Sequence, residues 1–76
     1  MERIFLDMLS QDSVSLRKQK YTEINGIEYH IGNPWRRLYT NSERGRELVN
    51  NEVSEPYKSA IIAVWGDTPT VTEYVL

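Results

Sequence analysis

Apolar positions recur along this chain with two different periods. At the N-terminus Met1, Ile4, Phe5, Met8 and Leu9 fall at i, i+3, i+4, i+7 and i+8, a spacing that predicts a helix over 1–9. The polar run Ser10–Ser13 reads as the turn that ends it. From Lys20 to Ile31 the period changes to two, around the dipeptide Asn25-Gly26. Asn and Gly accept the positive φ of a type I′ turn, whose twist matches that of paired strands, so a β-hairpin is predicted here. With that turn Ile24 faces Ile27, Thr22 faces Tyr29 and Lys20 faces Ile31. Val14, Leu16, Thr22, Ile24, Ile27, Tyr29 and Ile31 then share one face, the expected core face. The other face sets Glu23 against Glu28 and Tyr21 against His30; opposed like charges require it to be wet. Lys18 and Lys20 are expected at the rim or at an edge.

Beyond the hairpin the period returns to that of a helix. Asn33 suits an N-cap and Pro34 a first helical position, and Trp35, Leu38 and Tyr39 follow at i, i+3, i+4. A short helix is therefore expected before Thr40–Ser42. A second helix should follow, with Thr40 and Glu43 as a capping box, Leu48, Val49 and Val53 as its apolar side, and Gly45 costing about 1 kcal/mol against alanine. The main helix is expected over 55–65. Ser54 caps it, Glu55 meets the helix dipole and Pro56 sits in the first turn; Tyr57, Ala60, Ile61, Val64 and Trp65 form its stripe, and Gly66 stops it. This helix is placed across the apolar face of the hairpin. Residues 67–76 alternate weakly and suit either a third strand or a frayed end. The fold class that results is α+β: a β-hairpin turning at Asn25-Gly26, packed against two or three short helices.

At 76 residues the chain is a single small domain, 1–76, that buries only about 60% of its unfolded surface. Folds below about 80 residues often need a disulfide, a metal or a partner. With no Cys and one His, disulfides and thiolate metal sites are excluded, and no metal or cofactor is expected. Association is the staple left, so a homodimer or a larger assembly stays in view. No apolar run reaches the roughly 18 residues of a membrane span, and Glu2 and Asp7 interrupt the first apolar segment, unlike a signal peptide. No membrane contact is expected. The net charge of -2 conceals an asymmetry: residues 15–46 sum to +4, residues 47–76 to -4 and residues 1–14 to -2.

Enzyme chemistry finds little footing. The four glycines are isolated, so no phosphate loop is present. No Ser sits in a nucleophile elbow, and His30 has no evident partner for general-base work. A chain this small is not expected to enclose a small-molecule substrate, and the expectation is a non-enzyme. The sharpest cluster is Trp35, Arg36, Arg37, Tyr39, Arg44 and Arg46. Trp, Tyr and Arg are the types enriched at protein interface hot spots. Arginine forks also match phosphates, and aromatic rings stack on bases. Against both stands a structural reading, in which Trp35 and Tyr39 are core and the arginines pair with Glu43, Glu47 and Glu52. The acidic total ranks nucleic acid behind protein as the partner, since nucleic-acid domains usually carry a basic excess.

One resemblance bears on the setting. Gly32, Pro34-Trp35-Arg36-Arg37, Tyr39, Asn41-Ser42, Gly45-Arg46, Glu55-Pro56-Tyr57 and Val64-Trp65-Gly66, with Arg17-Lys18-Gln19 and the hairpin, cover about residues 14–71. This pattern resembles small uncharacterised proteins encoded in phages and prophages of Gram-positive bacteria, often near tail or lysis genes. The resemblance implies a phage accessory or structural protein in the cytoplasm of a bacterial host or on the virion. It implies no activity, cofactor or catalytic residue.

Overall fold

Three antiparallel strands and two helices follow one another along the chain: β1 (Glu2–Asp7), β2 (Ser13–Ile24), β3 (Ile27–Thr40), α1 (Glu43–Glu52) and α2 (Tyr57–Trp65). The computed structural model describes residues 1–74. The sheet order is β1-β2-β3, and the fold is α+β, with a hairpin packed against helices as expected.

The hairpin forms in the anticipated register, with Ile24 opposite Ile27, Thr22 opposite Tyr29 and Lys20 opposite Ile31. Asn25 (φ +52°) and Gly26 (φ +79°) make the turn, both in the left-handed region that the type I′ geometry requires.

Two expected helices are strands. Residues 2–7 pair along β2, from Glu2 opposite Lys20 to Asp7 opposite Ser15. Ile4 and Leu6 turn toward the core, while Phe5 lies on the other face under the Arg17 guanidinium, 4.0 Å from its ring centre. A helix over 1–9 would gather the stripe but leave this edge of β2 unpaired. The expected short helix after Pro34 is likewise the second half of β3, with Trp35 opposite Lys18 and Tyr39 opposite Val14. Pro34 is tolerated because it stands in an irregularity on an outer strand, where Gly32, Asn33 and Pro34 lie across from Gln19 alone. Buried Gln19 spans the gap: its Nε2 donates toward the carbonyls of Lys20 (3.1 Å), Ile31 (3.3 Å) and Gly32 (3.4 Å).

Both helices start later than expected. Ser42, not Thr40, caps α1, its Oγ accepting from the Gly45 amide at 3.0 Å. Gly45 is no mere blemish, because a Cβ there would come within 1.7 Å of the Thr40 carbonyl oxygen. α2 begins at Tyr57 behind Pro56, with no side-chain cap. Ser54 contributes its carbonyl, which accepts from the Lys58 amide at 3.0 Å. Gly66 ends α2, donating to the Ile62 carbonyl at 2.8 Å.

The core is built from Val14, Leu16 and Tyr39 of the sheet, Val49 and Val53 at α1, and Ile61 and Trp65 of α2, flanked by Ile4 and Leu6. Each buried aliphatic side chain contributes about 1.5–3 kcal/mol. All the sheet residues in this cluster lie at the end away from the Asn25-Gly26 turn. α2 therefore covers the base of the hairpin, not its whole apolar face as expected. The rest projects as a ribbon, flanked by β1 as far as Lys20 and two-stranded beyond it, and the molecule is 48 Å long.

The chain after α2 is irregular over 67–74 and forms no third strand there; Val75 and Leu76 lie outside the described residues. Asn41 pins this segment. Its carbonyl accepts from the Thr70 and Val71 amides, both at 2.9 Å, and its Nδ2 donates to the Gln11 carbonyl at 2.7 Å. Among the described residues no helix is long and apolar enough to cross a membrane.

Candidate interaction surface

The six residues singled out by composition do not converge. Strand alternation sets Trp35, Arg37 and Tyr39 on the helix-covered face of β3 and Arg36 on the other. Arg37 is tied to Glu52 at 2.8 Å and lies over the Tyr39 ring, 5.5 Å from its centre. Tyr39, only 2% exposed, donates its hydroxyl to Glu52 Oε1 at 3.1 Å. Burial, reinforced by Glu52, raises the Tyr39 pKa above its ordinary value. Arg36 stands 3.7 Å from Asp7, which also accepts from Arg17 Nε at 3.0 Å. Thus Glu52 is a partner as expected, while Arg36 finds Asp7 on β1 instead.

Arg46 is committed inward. Its Nε donates to Asn41 Oδ1 at 2.7 Å, and one terminal nitrogen reaches the carbonyls of Trp65 (3.3 Å), Gly66 (2.8 Å) and Thr68 (2.9 Å). It closes the end of α2 against α1 and is not available as a grip. Arg44 is exposed on the first turn of α1.

The surface that does stand open is the apolar face of the ribbon. Ile24, Ile27, Tyr29, Ile31 and Trp35 are each 47–55% exposed, and in register they form one continuous strip. Lys18 extends over the Trp35 ring, its Nζ 4.9 Å from the centre. Hydrophobic alternation marks this strip as core, and it is the same face that holds Val14 and Leu16. A signal against full burial was present in the lengths. A nine-residue helix spans about 14 Å, whereas β3, with 14 residues, spans about 46 Å. One such helix cannot roof the whole face.

The reverse face of the ribbon is polar and internally paired. Glu23 does lie opposite Glu28, as expected. Glu28 is relieved by a hydrogen bond from Arg3 and by His30 Nε2 at 3.1 Å. The Arg3 bond, chiefly, holds the Glu28 carboxyl below the usual carboxylate range. Arg3 also lies over Tyr21, 4.9 Å from the ring centre.

A shallow, half-open groove runs between Glu43 and Arg44 of α1 and the segment 69–73. Glu73 at its wall accepts a hydrogen bond from the buried Ser42 hydroxyl, the same hydroxyl that caps α1. Among the described residues no group of three His, Asp or Glu side chains is placed to hold a metal ion. No family model, curated protein or solved structure matches this chain.

Proposed function

We propose that this chain acts by protein–protein contact, as a non-enzymatic accessory or structural component of a phage or prophage. The observation that carries the contact is the strip Ile24, Ile27, Tyr29, Ile31 and Trp35, half exposed on one face of a projecting ribbon. Five such side chains at roughly 100 Å² each amount to about 500 Å², at the upper end of apolar patches on a monomer and in the range that marks an interaction site. The phage setting rests on the resemblance of residues 14–71 alone.

Nucleic acid is the second reading, through the basic region 32–47. It is disfavoured because Arg37 and Arg46 are engaged with Glu52, Asn41 and backbone carbonyls, and Arg36 lies close to Asp7. Phosphate binding needs cations free to release counterions.

A photo-activated cross-linking residue at position 27, compared with one at position 23 on the reverse face, tests the reading in cells that express the chain. Covalent protein adducts at 27 and few at 23 are expected. Absence of protein adducts at 27, or binding of labelled DNA or RNA at low salt that fades steeply as salt rises, would overturn it.

A further inference from the structure

We infer that the partner on the ribbon face is a second copy of this chain, stacked face to face with the two ribbons antiparallel. This rests on the protein-contact reading and adds the partner's identity.

Shape supplies the first support. Helices α1 and α2 lie on the same sheet face as the exposed strip, but cover only the end that carries Val14, Leu16 and Tyr39. Beyond them the face drops by one layer, forming a step. A second sheet packs about 10 Å above the first, so a partner's ribbon fits the layer that the helices leave vacant. Stacking tip over tip would drive helices onto helices. Reversing the strand direction sends the two helical ends apart and lets each arm rest on the other's step.

Area and need supply the second. A standard interface buries about 800 Å² on each side, of which somewhat over half is apolar. The strip, at about 500 Å² by the estimate above, meets that requirement on both sides when two copies stack. The tip beyond Lys20, which has only two strands, is also marginal in water without further packing. The chain has no cysteine to brace it, and the ribbon needs cover whenever the chain is folded. A second copy is the partner that is always present.

Charge supplies the third. On this face Lys18 lies over Trp35, Lys20 is directly opposite Glu2, and Arg37 is bonded to Glu52. One of these three cations is ion-paired and the other two have an aromatic ring or a cross-strand carboxylate as neighbour, so two copies approach with little opposed charge.

Sedimentation equilibrium on the purified full chain tests the inference. Twice the chain mass is expected within the range from about 1 μM to 1 mM. Ile27→Lys and Ile31→Lys alter exposed positions, so circular dichroism should be unchanged while self-association weakens by about 30-fold or more. The strip's midpoint lies between the Thr22–Tyr29 and Lys20–Ile31 pairs. A twofold axis there sets Ile31 over the partner's Tyr29, one residue pair away from its own mate, and sends Ile27 toward the partner's Trp35. Because the chain has no native cysteine, Ile31→Cys should be joined to its mate by a bifunctional thiol reagent spanning about 10–12 Å, and Ile27→Cys, roughly 20 Å from its mate along the strands, should not. A wild-type chain that stays monomeric throughout the range, a folded Ile27→Lys chain that keeps the dimer mass, or linkage at 27 in preference to 31 would overturn it. A monomeric wild type that still cross-links a different protein from position 27 would discard the second copy and keep the protein-contact reading. No protein adduct at all would discard both.

Discussion

The two ends of the sheet carry the same kind of surface and meet different fates. At the base, Val14, Leu16 and Tyr39 are buried beneath α1 and α2. Toward the tip, Ile24, Ile27, Tyr29 and Ile31 continue the same face and are half exposed. Hydrophobicity therefore specifies the face, while the reach of the helices decides which part of it is core. What the helices leave uncovered is the surface proposed above to meet a partner.

The sharpest way to break this comparison is at the base. Gly45→Ala should unfold much of the population, because its methyl would strike the Thr40 carbonyl. A loss of about 3 kcal/mol or more in urea denaturation is expected. Ile61→Ala, in the same lobe, should cost about 2–5 kcal/mol by cavity formation. Ile27→Ala at the tip, measured at concentrations where the chain is monomeric, should shift stability by about 0.5 kcal/mol or less. Equal losses at 27 and 61 would mean that the ribbon face is core after all.

Asn41→Ala comes next. It removes a fully buried side chain that accepts from Arg46 and donates to the Gln11 carbonyl. A loss of about 2–3 kcal/mol is expected in the same assay. Tyr39→Phe is smaller, about 1 kcal/mol near neutral pH. It carries a distinct signature in alkali. The folded Tyr39 holds its proton above the ordinary value of 10.0, so the unfolded chain releases it first. The stability this provides is complete below about pH 10 and is lost as pH rises through the folded value. Tyr39→Phe should therefore flatten the decline in unfolding free energy above pH 10; an unchanged decline would remove this role.

How much of this is legible in the sequence depends on how far away the deciding partner lies. The turn at Asn25-Gly26 and the stripe Tyr57–Trp65 carry their own local instructions, and both elements form nearly where periodicity puts them. The segments 1–9 and 34–39 show helical spacing as well, but their conformation is set by pairing with β2, up to 25 residues distant between Val14 and Tyr39. Short apolar runs fit both periods, and a free strand edge settles the choice. Arg46 was legible as a charge but not as a clamp, because its acceptors are backbone carbonyls about 20 residues on. Alternation identifies the strip at the ribbon tip as one face but carries no information about what will cover it, so its exposure is not legible from the sequence.

The irregularity at Gly32–Pro34 has a consequence for solubility. β3 forms the outer margin of the sheet, a 14-residue row along which a foreign strand could dock. Near its middle the row loses its register, and one of its residues has no amide hydrogen to offer. A docking strand would find two short runs out of step with each other, which guards against fibrous growth from that side.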